Sequence, residues 1–164
     1  MADDKLHLNW DEVYAQSLKL AELIKNRGQR FDYMVVVPRG GYFVANIVAR
    51  ELDFGPTGLL HACVGSYEAG QNNQLDRLSV GEMPAKDKVS GKKLLIIDEV
   101  CDTGETLAYV TDYLKKAGAN AVKSGVLHYK PANSLSGYKP GWSVEQTAQW
   151  IVYPWEKREY TPNY

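Results

Sequence analysis

Residues 94–107 read LLIIDEVCDTGETL, and this stretch decides the fold. Leu94 to Ile97 is a short continuous apolar run, the pattern of a strand buried on both faces. Asp98 and Glu99 end that run. Asp102, Thr103 and Gly104 form a loop, and a helix is expected from about Glu105 to Lys116, before Gly118. The same order recurs upstream. Tyr33 to Val37 is an apolar run, Pro38-Arg39-Gly40-Gly41 a loop, and Tyr42 to Leu52 an apolar helix. Further strands are expected at Leu59 to Val64 and Val122 to Tyr129. Strand, loop and helix in this alternation specify an α/β fold with a mainly parallel, twisted sheet and flanking helices. Such sheets bind ligands outside the carboxyl ends of their strands, which selects the loops at 38–41 and 98–106.

Outside these units, Asn9 and Glu12 have the spacing of a capping box. They open a helix expected from Trp10 to Asn26, with Val13, Leu20, Leu23 and Ile24 inward and a stop at Gly28. Glu68 to Lys92 is polar and unusually long for a connection in a compact domain. After Pro131 the pattern becomes irregular and aromatic.

The bulk numbers exclude several classes. A chain of 164 residues fits one domain, residues 1–164, and 19 basic against 20 acidic residues give no general pull toward nucleic acid or anionic membrane. Cys63 and Cys101 make neither a disulfide framework nor a metal cluster, and the three histidines lack zinc spacing. The polar start MADDKLHLNW and the lack of a long apolar run predict a cytoplasmic protein with no membrane partner.

The 98–106 loop carries two chemistries. Gly104 admits close approach of the backbone, amides at a helix N-terminus attract an anion, and Thr103 and Thr106 add hydroxyls. Together with the Glu105 amide they make a cradle for a phosphate monoester, and the Glu105 side chain is expected to point away. It is not the ATPase phosphate loop, whose glycine-lysine-serine/threonine ending is missing. Adjacent Asp98 and Glu99 suit vicinal ribose hydroxyls and a hydrated Mg2+. Asp102 is placed to take a proton. Cys101 reads as a packing residue, since no basic neighbour lowers its pKa. In the other loop, Gly40 and Gly41 allow amides to wrap an anion and Arg39 adds a fork of donors. His128-Tyr129-Lys130-Pro131 ends a strand beside the site, and the Lys130 ammonium only donates hydrogen bonds.

The 94–107 segment resembles the phosphoribosyl-diphosphate (PRPP) signature of the type I phosphoribosyltransferases. The resemblance runs from Tyr33 to Glu156 and implies the following. The fold is the type I phosphoribosyltransferase fold with a small C-terminal hood, contributed mainly by 131–160. Asp98, Glu99, Asp102, Thr103, Gly104, Glu105 and Thr106 bind PRPP. Arg39, Gly40 and Gly41 bind its diphosphate, with a cis peptide between Pro38 and Arg39. Ser66 and Tyr67 open a mobile catalytic loop. Lys130, with Trp150, Ile151 and the backbone of Glu156, is similar to the base pocket of the 6-oxopurine branch. In that branch the lysine takes O6, the tryptophan stacks, and Asp102 accepts the N7 proton. WIVYPWE (150–156) is close to the hood of the xanthine-guanine enzymes. Val152 stands where those enzymes tend to carry an acid, so the order among hypoxanthine, guanine and xanthine is not readable. Glu156 replaces an aspartate that helps hold metal, giving Asp98, Glu99 and Glu156 as metal-binding candidates for Mg2+. The resemblance also implies a homo-oligomer. The competing readings are an enzyme for adenine, uracil or orotate, against which Lys130 and Trp150 stand, and a nucleic-acid-binding regulator on the same fold, which the balanced charge does not favour.

Overall fold

A computed structural model describes residues 5–67 and 74–156, without side-chain detail at Tyr67 and at 74–77. The chain runs β1 (Lys5–His7), α1 (Trp10–Lys25), β2 (Tyr33–Val36), α2 (Gly41–Glu51), β3 (Leu59–His61), β4 (Val64–Tyr67), β5 (Gln74–Val80), α3 (Lys86–Val89), β6 (Lys93–Cys101), α4 (Glu105–Lys116), β7 (Ala121–Tyr129), β8 (Trp142–Gln146) and β9 (Trp150–Val152). Five strands form one sheet in the order β3-β2-β6-β7-β8, and every neighbouring pair is parallel. The α/β expectation therefore holds.

β6 explains why the sheet forms where it does. Residues 94–97 are fully buried, and alternate side chains leave on opposite faces. Leu95 and Ile97 join Leu20, Ile24, Val44 and Val48 under α1 and α2, whereas Leu94 and Ile96 join Val110 and Leu114 under α4. Local signals set the helix ends. Asn9 Oδ1 accepts the Glu12 amide at 2.9 Å, and Glu12 Oε2 accepts the Asn9 amide at 2.7 Å, completing the capping box. α4 begins and ends at the expected residues, Glu105 and Lys116. α1 ends one residue early, with Asn26 as its cap, and α2 lies one residue toward the N-terminus of its expected span.

Three expectations need correction. The strand expected over 59–64 is two strands: β3 lies in the main sheet, and β4 turns out of it to pair antiparallel with β5. The polar 68–92 stretch contains β5 and the short α3, so the segment beginning at Ser66-Tyr67 has hairpin arms; its tip, residues 68–73, lies outside the described residues. The region after Pro131 contains β8, which completes the sheet, and β9, which pairs in parallel with β1 to form the hood sheet. The last four residues of the expected hood, 157–160, lie outside the described residues. Among the described residues no helix is long and apolar enough to cross a membrane.

Candidate active site

A cleft of about 1250 Å³ opens at the carboxyl ends of β2, β6 and β7. Its walls include Arg39 and Gly40, Ser66, Asp98 to Gly104, Thr106, Lys130, Trp150, Ile151 and Glu156. Both loops selected from the sequence thus meet the candidate base pocket in one place. Gly41 stands behind the wall, where a Cβ would meet the Ile97 carbonyl at 3.1 Å.

β6 continues through Cys101, so Asp98 and Glu99 belong to a strand rather than to a loose loop. Asp98 is buried, and burial, followed by the neighbouring Glu99 charge, holds its carboxyl well above the usual range. Glu99 leans against the other loop so closely that a Cβ at Gly40 would fall on its carboxylate. The peptide between Pro38 and Arg39 is cis, as expected. Glu99 Oε2 is buried and accepts no hydrogen bond from the described residues. A buried carboxylate oxygen in that condition suits a hydroxyl donor or a cation. Glu156 Oε2 accepts the Tyr153 amide at 3.0 Å. Among the described residues, no three of His, Cys, Asp and Glu gather into a metal cage. That arrangement is compatible with Mg2+, which is commonly held by one or two carboxylates together with substrate phosphates.

At the head of α4, Gly104 has φ of 80°, and a Cβ there would meet Ser136 Oγ at 2.6 Å. Both facts favour glycine. Thr103 Oγ1 accepts the Glu105 amide at 3.4 Å and donates to Glu105 Oε2 at 3.2 Å. Glu105, whose amide was expected in the phosphate cradle, is not among the cleft-wall residues, and its carboxylate accepts from the Thr103 hydroxyl. Cys101 is buried, and burial, then the charges of Asp98 and Asp102, push its thiol up to about 12. It is an inert packing group, as the sequence indicated.

Asp102 and Lys130 meet across the cleft floor. Lys130 Nζ donates to Asp102 Oδ2 at 3.1 Å, and its side chain is 4% exposed against 20% for Asp102. The ammonium also lies 5.3 Å from the centre of the Trp150 ring. Trp150 is 37% exposed and keeps a face at the cleft. The Val152 carbonyl accepts the Leu8 amide at 3.0 Å, so alternation along β9 turns the backbone groups of Ile151 away from β1. The Glu156 amide donates to the Tyr153 carbonyl at 3.0 Å.

A family model for the phosphoribosyl transferase domain matches residues 9–159. The chain belongs to this family. It is 30% identical over 158 residues to a xanthine-guanine phosphoribosyltransferase of Ruegeria sp. (strain TM1040), covering 92% of this chain and 84% of that one. The purine phosphoribosyltransferase of Pyrococcus horikoshii Ot3 superposes with a TM-score of 0.74 at 30% identity, over 93% and 94% of the two chains. The xanthine-guanine-hypoxanthine phosphoribosyltransferase of Helicobacter pylori, at 21% identity, shares the fold with a TM-score of 0.75.

Two residues that contact cleft groups of this phosphoribosyltransferase, Asn133 and Tyr153, escaped the sequence reading. Asn133 Nδ2 donates to Asp102 Oδ1 at 2.7 Å. Its sequence context, Pro-Ala-Asn-Ser, reads only as a turn. Tyr153 Oη lies 2.9 Å from His128 Nδ1 and donates to the Glu99 carbonyl at 3.1 Å. Its ring stacks on Trp155 at 4.7 Å, and Trp155 stacks on Phe43 of α2 at 4.6 Å. Two hood residues, Tyr153 and Trp155, thereby tie the acidic strand to the helix behind the Arg39 loop. The hydrophobic pattern around Tyr153 gave no such signal, because the partner atoms come from β6 and β7.

Proposed function

We propose that this phosphoribosyltransferase transfers the 5-phosphoribosyl group of PRPP to N9 of a 6-oxopurine. The products are the nucleoside 5'-monophosphate and diphosphate, a purine-salvage reaction. All of the chemistry falls in one domain, residues 1–164, with the hood, 131–160, over the base. The observation that carries the reading is the Lys130–Asp102 pair beneath Trp150. A 6-oxopurine protonated at N7 presents an acceptor, O6, beside a donor, N7–H. The pair presents the complement: an ammonium beside a carboxylate. Adenine puts an amino donor where O6 would be, and Lys130 has no acceptor to offer it.

In the reaction the bond from C1 to the diphosphate oxygen breaks and the bond from C1 to N9 forms. Asp102 accepts the N7 proton through Oδ2 as N9 attacks. Lys130 donates to O6 and stabilises negative charge on the base. Its three donors let it keep Asp102 and take O6 together. Trp150 stacks on the ring, and the outward backbone of Ile151 and the Glu156 carbonyl read its edge. Thr103, Gly104, Glu105 and Thr106 hold the 5-phosphate by amides and hydroxyls, the Thr103–Glu105 contact opening to admit it. Arg39 and Gly40 hold the diphosphate, with Gly41 seating the loop on β6. Asp98 and Glu99 hold the ribose hydroxyls. The buried, unpartnered Glu99 oxygen fits Mg2+, which Glu99 and Asp98 would hold, directly or through water, with Glu156 a further contributor once released from Tyr153. When bound, that ion neutralises charge on the departing diphosphate. Ser66 and Tyr67 start a segment that closes over the cleft and excludes water. The working form is a cytoplasmic homo-oligomer.

Lys130→Ala tests the base pocket. Hypoxanthine or guanine use should fall much further than PRPP binding, read as separate KM values in steady-state assays. Equal loss for both substrates removes the 6-oxo assignment.

A further inference from the structure

We infer that Asn133 is a positioning residue for Asp102, fixing which oxygen of the carboxylate faces the base. The inference rests on the proposed role of Asp102 as proton acceptor. The two carboxylate oxygens have different partners. Oδ2 meets the Lys130 ammonium at 3.1 Å, and Oδ1 takes the Asn133 amide at 2.7 Å. Lys130 reaches Asp102 through a flexible four-carbon stem and must also serve the base, so by itself it leaves the carboxylate plane free to turn. Asn133 has a short side chain on a well-tied backbone. It closes a 3-10 turn, Pro131–Asn133, in which its own amide donates to the Lys130 carbonyl at 3.1 Å.

The residues that follow grip the phosphate loop. The Thr103 carbonyl accepts the amides of Leu135 at 3.0 Å and Ser136 at 3.3 Å, and also Ser136 Oγ at 3.3 Å. The turn is therefore bound to the segment next to Asp102 before the side chain of Asn133 adds its contact. The amide occupies Oδ1 and turns Oδ2, the oxygen beside Lys130, toward the incoming N7–H. A carboxylate held in one plane meets the proton without reorganising, which is worth rate rather than affinity for PRPP.

The side chain of Asn133 lies at the protein surface, so its replacement tests function rather than folding. Steady-state rates with PRPP, Mg2+ and hypoxanthine should order as wild type, then Asn133→Ala, then Asn133→Asp. The kcat losses should be about tenfold and about a hundredfold, in keeping with removal of a hydrogen bond to a charged group and then with like charge in its place. The KM for PRPP and the thermal midpoint should stay near wild type. In an Asp102→Asn background, Asn133→Ala should cost nothing further, because the carboxylate it positions is gone. A kcat for Asn133→Asp equal to wild type, with Asn133→Ala impaired, means the side chain only fills space and overturns the inference. Full kcat in both Asn133 variants, with Asp102→Asn impaired, overturns it too but leaves the acceptor role of Asp102 standing. Full turnover in Asp102→Asn overturns both.

Discussion

Asp102 concentrates the chemistry of the cleft in one carboxylate, held on one oxygen by Lys130 and on the other by Asn133. Asp102→Asn keeps the shape and removes the basic oxygen. Turnover should fall by about 10²–10⁴ while PRPP binding persists, which single-turnover rates and a PRPP titration will separate. Unchanged turnover contradicts the assignment. Gly40 is the second test residue, because a Cβ there falls on the Glu99 carboxylate, which must shift away from its place beside the Arg39 loop. Gly40→Ala should raise the KM for PRPP about tenfold, the scale of a modest overpacking penalty, with little change in the KM for the base. Residue types with unusual chemistry were legible in the sequence: the acids, the glycines, Arg39, Lys130. Asn133 and Tyr153 were not, since each acts through a contact between distant segments that no local pattern encodes.

At the scale of elements, legibility followed the strength of local signals. α1 is bracketed by a reciprocal capping box, and its start was readable to the residue. Asn9→Ala removes half of that box and should destabilise the protein by about 1 kcal/mol, measured as a shift in the denaturant midpoint at constant slope. A shift near zero would mean the cap is redundant. β8 went unread because Trp142 to Gln146 mixes buried and exposed positions at a sheet edge, with no continuous apolar run. β1 and β9 have three residues each, too few for periodicity to register, and they find one another only across the whole chain. The 59–64 region looked like one strand because apolar residues continue through Val64. The chain leaves the sheet after His61, and β4 takes a new antiparallel partner.

The whole molecule joins the two faces of one sheet to a hood through buried polar atoms, and this gives its stability a pH signature. His128 is fully buried between Tyr153 and Glu145, and burial, then the Lys130 charge, lower its pKa from 6.5 to about 4. Between those values the unfolded chain takes a proton that the folded chain refuses. The contribution is thus complete above pH ~6.5 and lost as pH falls toward ~4, with about 3 kcal/mol at stake. Asp98 opposes this, since a raised carboxyl pKa makes the folded state take up its proton earlier. Comparison with His128→Phe cancels the Asp98 part. The variant should gain on wild type by about 3 kcal/mol between pH 7 and pH 4 in urea unfolding, and a constant difference would contradict a buried neutral histidine. The central claim concerns the reaction the assembled cleft performs. Its most direct measurement is diphosphate release from PRPP and Mg2+ with hypoxanthine, guanine, xanthine or adenine as acceptor. The account predicts release with at least one of the three oxopurines and none above background with adenine. Release driven by adenine alone, or by no base, would contradict it.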